Sequence, residues 1–391
     1  MSNNLRVVIA SRIWAPEPAA AVFRLSALRS ALLEAGAKVR VLTAARPAKL
    51  AEAKCDERGI SRAPVLRDKS GYIQGFLPYA SFDLPLFWRL LFVRRPDVVV
   101  SELPPTTGFV VRAVCKLRRI PYVYYAADLW EEAAIAGGYP KLAQRLIARV
   151  ERKVFQGAAV VMAVTHQFAQ RAQQRGGNAV VVLNGVDTTQ FSPHGPVERF
   201  NAPTFLYAGT ASGLQKSVIF AHAFVQVHRT HPHARLVFHA KGDELPEIAR
   251  VLSVLPAESW EINPLVAPEV IAAKIRAATA CLASIAPGEY DFAVPSKAYV
   301  GPACGTRCIK VGPNEPGRWV PLLGPAVGHD VGQVAAAMRE ILDSPDTLQM
   351  ERAQWVVDNA SLVATSKRAT ELVLGVASGS ESVINTGEAV A

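Results

Sequence analysis

No apolar run in this 391-residue sequence reaches the ~18–20 residues that a membrane-crossing helix needs. The opening MSNNLRVVIA carries one Arg and passes straight into a strand-like stretch with no cleavage pattern, so a cytoplasmic chain is expected. The five cysteines, Cys55, Cys115, Cys281, Cys304 and Cys308, include no Cys-x-x-Cys pair, and their odd number and apolar neighbours fit reduced, buried thiols. Cys304 and Cys308 lie close together, but the eight histidines supply no matching ligand spacing, so no metal site is expected. Glycine is missing from SRIWAPEPAAAVFR (11–24), the loop after the first strand-like run. The G-x-G-x-x-G fingerprint is therefore absent there, which argues against NAD or FAD. No helix-turn-helix, zinc-finger or aromatic RNA-binding signature occurs either, and nucleic acid is not an expected partner.

What the sequence does have is apolar bulk and positive charge. Half its residues are hydrophobic, enough for large cores, and the length suits two domains of about 150–200 residues. The net charge of +10 is unevenly shared. Residues 1–185 hold 27 Lys and Arg against 13 Asp and Glu, whereas the remainder holds 16 against 20. The first half should therefore meet something anionic, for which a membrane face or a phosphorylated lipid suits better than nucleic acid. The segment PLFWRLLFVRR (85–95) mixes Phe87, Trp88, Leu90, Leu91 and Phe92 with Arg89, Arg94 and Arg95. It reads either as an interfacial element or as a core helix whose arginines reach solvent.

Strand-like and helical runs alternate along the chain. LRVVIAS (5–11), a helix over 19–35, KVRVLTA (38–44), PDVVVSE (96–102), a helix over 106–119, PYVYYAA (121–127), a long helical segment to about Phe155, AAVVMAV (158–164), a further helix and AVVVL (179–183) make one doubly wound α/β domain over 1–184. Residues 185–200 read as a linker, rich in turn residues. The alternation restarts at TFLYAGT (204–210) and continues through ARLVFHA, ESWEI, ACLASI and TRCIKVG, giving a second doubly wound domain over 201–375. The tail, 376–391, is mostly small or polar and is expected to be disordered. In such sheets ligands bind beyond the carboxyl ends of the strands, which singles out the loops 11–18, 102–106, 126–131, 209–216, 240–244, 263–267 and 286–297. The expected architecture is two Rossmann-like domains facing each other across a cleft.

Those loops hold the candidate residues. Glu17 sits just before a helix start, where it would cap the helix or face a ligand, and Arg24 lies about one and a half turns into that helix. Asp128 and Glu131 have capping-box spacing, which explains the acidic stretch AADLWEEAA better than a metal does. In YAGTASGLQKSV (207–218), the turn at Gly209 and Thr210 and the later Lys216 could hold phosphate oxygens, or Lys216 could be a solvated surface side chain. In VPSKAYVGPACG (294–305), Ser296 and Lys297 open a short helix, as ordinary start residues or as an anion site.

PEPAAAVFRLSALRSALLEAGAKVRVLT, RRPDVVVSELPP, YYAADLWEEAAIAGG, LNGVDTTQFSP, LYAGT and PSKAYVGPACG occur in the order found in retaining, two-domain (GT-B) glycosyltransferases of family 4. The chain resembles that family over about residues 5–375, most closely its branch that builds bacterial surface polysaccharides on lipid carriers. The resemblance implies a nucleotide-sugar donor on the second domain and an acceptor on the first. It places the donor diphosphate at Lys216 and Ser296–Lys297, Asp128 near the sugar and acceptor, and Glu17 and Arg24 on the acceptor side. Asp128 and Lys216 would be the catalytic pair. The sequence departs from the family where a Glu five residues before Gly305 normally binds the donor ribose: Val300 stands there. A second family acid would fall at Phe292, beside Asp291, and the family's Arg after the glycine turn is Thr210. The expected partners are a nucleoside-diphosphate sugar, a lipid-linked or other anionic acceptor and the anionic inner face of a membrane, with no cofactor or metal. The rival readings are a nucleotide-sugar 2-epimerase and a non-catalytic binding subunit, the latter favoured by Val300.

Overall fold

The computed structural model describes residues 4–17, 19–53, 56–68, 71–73, 75–288, 296–312 and 319–380. The chain forms two compact units, one ending at Asn184 and rejoined by residues from Thr365 onward, the other running from Gly185 to Ala364.

The first unit comprises β1 (Arg6–Ala10), α1 (Ala20–Glu34), β2 (Lys38–Ala44), β3 (Ile60–Ala63), α2 (Phe76–Phe92), β4 (Val98–Glu102), α3 (Pro105–Arg118), β5 (Tyr122–Ala126), α4 (Trp130–Ala136), α5 (Lys141–Gly157), β6 (Val160–Ala163), α6 (His166–Gln174) and β7 (Ala179–Val181). Its seven strands are all parallel, in the order β3-β2-β1-β4-β5-β6-β7. β4, β5 and β6 are buried along their whole length, which is why their sequences are nearly continuous apolar runs without alternation. β1 lies between β2 and β4, so the strand order reverses there and leaves a crevice beyond the carboxyl ends of β1 and β4.

The second unit comprises β8 (Thr204–Thr210), α7 (Val218–His228), β9 (Arg235–Lys241), α8 (Leu245–Leu252), β10 (Trp260–Asn263), α9 (Pro268–Ala277), β11 (Ala280–Ser284), α10 (Lys297–Ala303), β12 (Arg307–Val311), β13 (Ala326–Val327), α11 (Val331–Asp343) and α12 (Gln349–Asn359). Its parallel sheet runs β10-β9-β8-β11-β12-β13, repeating the reversal at β8 and β11. Phe205, Tyr207, Phe220, Phe224, Phe238 and Met338 fill a large core there. Burying a side chain of that size contributes ~1.5–3 kcal/mol.

The expected long helix ending near Phe155 is two helices, because Gly137, Gly138 and Pro140 separate α4 from α5. The short edge strands β3 and β13 carry no clear apolar alternation and were not expected. Residues 185–200 fall inside the second unit, and the last helix, α13 (Leu362–Ser378), passes beyond the expected boundary at 375 with its residues from Thr365 grouped in the first unit. Of the expected tail, Val376–Ser378 are helical and 381–391 lie outside the described residues. Cys115, Cys281, Cys304 and Cys308 are buried free thiols; Cys55 lies outside the described residues.

Candidate functional site

In the first unit, polar side chains gather past the carboxyl ends of β1, β4 and β5. Arg24 is carried inward by α1 and buried. Its Nη1 donates to Asn184 Oδ1 at 3.1 Å and its Nη2 to Glu102 Oε1 at 3.4 Å, and the guanidinium lies 4.6 Å from the centroid of the Tyr125 ring. Glu102, the last residue of β4, also accepts from Ser11 Oγ at 3.5 Å. Burial pushes the Glu102 carboxyl up to about 7 against the pull of Arg24 and Arg12, with Asp128 adding to the rise. Asp128 is set deeply enough in protein to have its own carboxyl raised, with Arg24 and Arg12 opposing. Its side chain is nevertheless open to water, unlike that of Glu102.

Two expectations change here. Asp128 does not cap α4: the N-cap is Leu129, without a side-chain bond, and the Trp130 N–H donates to Glu151 Oε1 at 2.7 Å. Glu151 arrives from α5, is itself buried, and supplies the carboxylate that the capping-box spacing assigned to Asp128. Nor does Glu17 cap α1, whose first turn contains no acid; it forms a two-pronged pair with Arg67, at 2.9 and 3.1 Å.

In the second unit, a pocket of about 220 Å³ is lined by Leu206, Gly209, His239, Cys281, Lys297 and Val300, among others. Lys297 is the first residue of α10, and its Nζ donates to Tyr207 Oη at 2.7 Å and to the Thr210 carbonyl at 3.3 Å. The same Nζ lies 4.2 Å from the Tyr207 ring centroid. Burial lowers its pKa to about 8, so near neutral pH it is still an ammonium. Gly209 has φ +130°, and a Cβ there would stand 3.4 Å from that Nζ. The turn thus keeps its backbone close to the cation.

Gly209, Lys297 and Val300 therefore share one pocket, with the Thr210 carbonyl bonded to Lys297. Ser296 is exposed, and its side chain makes no capping bond. Lys216 is also exposed, with φ +45° in the turn after β8, and does not line the pocket. Its turn is anchored by Glu244, which accepts from the Ser217 N–H at 2.7 Å and from Ser217 Oγ at 2.8 Å. Asp291 lies outside the described residues. Val300 packs with Leu206, Val237, Ile275, Cys281 and Cys304, so the position of the family's ribose-binding acid is apolar.

Glu102, Tyr207 and His239 were missed. Glu102 and His239 lie at or near the carboxyl ends of strands, the place where Asp128 and Gly209 were sought, so the same rule could have found them. His239 is buried, with Nδ1 3.1 Å from the Pro264 carbonyl and Nε2 without a partner. Among the described residues, no three His, Cys, Asp or Glu side chains gather as a metal-holding group.

The sequence model of Glycosyltransferase Family 4 matches residues 23–190. That stretch begins one residue before Arg24 and includes Glu102 and Asp128. A sucrose-phosphate synthase from Thermosynechococcus elongatus superposes with a TM-score of 0.70 at 15% identity, over 96% of this chain and 100% of that one. Anabaena HepE, solved with UDP and glucose, gives 0.66 at 13% identity over 94% and 99%. The fold is GT-B. A UDP-N-acetylglucosamine 2-epimerase is also similar, with a TM-score of 0.58 at 12% identity over 97% and 98%. The GT-B architecture therefore does not by itself separate transfer from epimerisation. A search among curated proteins finds no match.

Proposed function

We propose that the chain is a retaining glycosyltransferase, moving a sugar from a nucleoside-diphosphate donor to a hydroxyl of a lipid-linked or other anionic acceptor in the synthesis of cell-surface polysaccharide or glycolipid. The observation that carries the reading is the ammonium of Lys297, held by Tyr207 and the Thr210 carbonyl on the wall of the second unit's pocket. In the reaction the bond from the anomeric carbon to the phosphate oxygen breaks, the acceptor oxygen bonds to that carbon, and the hydroxyl proton leaves with the diphosphate. The charge growing on the diphosphate needs fixed cations and donors, which act most strongly where water is scarce. Lys297 and the neighbouring Ser296 supply them, with Lys216 as an outer cation and Gly209 and Thr210 shaping the turn. No metal is invoked.

Val300 sits on the ribose side of the donor, and Asp291 is a further donor-binding residue. On the first unit, Asp128 faces the sugar and acceptor, and Arg24 and Glu17 serve the acceptor side, Glu17 paired with Arg67. A cytoplasmic site of action at the inner face of the cell membrane fits a lipid-linked acceptor. Incubation with a panel of nucleotide sugars tests the reading: release of nucleoside diphosphate with a sugar of retained anomeric configuration supports it. The apolar setting of Val300 favours one other reading, a non-catalytic binding subunit, which would bind nucleotide without turnover.

A further inference from the structure

Helices α2, α3 and α5 pack as a layer, α3 touching both of the others. Together they carry nine Lys and Arg and two carboxylates. Both carboxylates are buried and engaged: Asp83 accepts from Thr107 Oγ1 at 2.6 Å, and Glu151 caps α4. The outward side of the layer therefore presents no negative charge.

It does present large apolar groups at helical spacing. On α2, Leu84, Trp88 and Phe92 recur every four residues, and all are exposed, Phe92 by 77%. Trp88 and Phe92 stack with centroids 6.1 Å apart. On α5, Leu142 and Leu146 are exposed beside Arg145, Arg149 and Lys153. Leu117 and Lys116 repeat the pairing on α3. Arg89 is turned inward, donating to the Thr43 carbonyl at 3.2 Å and to Ser61 Oγ at 3.0 Å, so it takes no part in this face. No helix among the described residues is long and apolar enough to cross a membrane.

We propose that the α2–α3–α5 face docks on an anionic lipid bilayer, with Trp88, Phe92, Leu142 and Leu146 among the headgroups and the flanking cations on lipid phosphates. Exposed apolar side chains interleaved with cations suit the boundary between headgroups and acyl chains. Nucleic acid would match the charge and leave the apolar stripe without a use. A second copy of the chain would match the stripe and bring two cationic faces together. The proposal does not rest on glycosyl transfer, and its test needs neither donor nor acceptor.

Full-length protein is sedimented with vesicles of phosphatidylcholine alone or mixed with phosphatidylglycerol. It should pellet with the mixed vesicles, stay free with the neutral ones, and be released near 1 M salt, where screening falls to about 3 Å. Arg145→Gln/Arg149→Gln/Lys153→Gln should cut partitioning on the order of a hundredfold, about 3 kcal/mol at roughly 1 kcal/mol per cation. Trp88→Ser/Phe92→Ser should also weaken it, whereas Arg145→Lys/Arg149→Lys should bind as the parent does, with all variants melting normally. Equal sedimentation with both vesicles, none with either, or unchanged binding by the Gln and Ser variants overturns the proposal. So does a dimer in solution that Trp88→Ser/Phe92→Ser dissociates.

Discussion

The ammonium of Lys297 sits 4.2 Å from the centroid of the Tyr207 ring and donates to its hydroxyl at 2.7 Å, although 90 residues separate the two. Tyr207 also donates to the Thr210 carbonyl, so the ring, the turn and the cation form one unit. A lysine held in this way has little side-chain freedom left to lose when an anion arrives.

Lys297→Ala should weaken nucleoside-diphosphate binding tenfold or more, since a charge-assisted contact contributes roughly 1.5–3 kcal/mol. Lys216→Ala, on an exposed turn, should cost less. Because burial lowers Lys297 to about 8, affinity should fall as pH rises through that value. Lys297→Arg, charged throughout, should bind without that fall. Calorimetric titration at several pH values reads all four effects, and a flat profile for the parent protein would remove Lys297 from the diphosphate.

Val300→Glu restores an acid on the pocket wall. Val300 is only partly buried, so the new carboxylate can keep water, and the variant should fold. Donor affinity should rise or the preferred donor should change, as read by titration with several nucleotide sugars. Identical donor behaviour would mean that the ribose does not reach this part of α10.

Glu102 should set a pH dependence of stability. Its carboxyl is raised from 4.5 to about 7, so between those values the folded chain holds a proton that the unfolded chain has released. Its contribution is full below 4.5 and is lost as pH rises to about 7, at up to ~1.4 kcal/mol per pH unit. Glu151 is raised to about 7 by burial in the same way and should add its own share. Denaturant melts from pH 5 to 8 should show a smaller decline for Glu102→Gln than for the parent. An equal decline would place the titration elsewhere.

Gly242 follows β9 with φ +138°, and a Cβ there would stand 1.9 Å from the Ala211 carbonyl oxygen. Gly242→Ala should therefore lose at least ~1–3 kcal/mol from backbone strain alone and shift the turn that carries Lys216. A lower melting temperature together with weaker nucleotide binding is the expected pair of results.

Much of this was legible because buried parallel strands write themselves as Val-rich runs; β2, β4 and β5 fall within a residue or two of where those runs lie. The edge strand β3, ISRA, reads like any polar loop, since only its pairing with β2 defines it. Glycine and proline at 137–140 mark the break between α4 and α5, yet one long helix was expected through them, and the acids at the start of α4 suggested the wrong cap. Glu151 reaches Trp130 from 21 residues away, and no local spacing encodes that contact. The same holds for Lys297 and Tyr207: the motifs marked both neighbourhoods, and only the sheet brings them together.

The most direct test of the account is to incubate the protein with UDP-, GDP- and ADP-sugars, with and without a lipid-phosphate acceptor, and to follow the nucleotide and the sugar separately. The account predicts release of nucleoside diphosphate from at least one donor, a sugar product of retained anomeric configuration, and loss of both in Lys297→Ala. A sugar inverted at C2 while still attached to its nucleotide, or binding with no release from any donor, would contradict it.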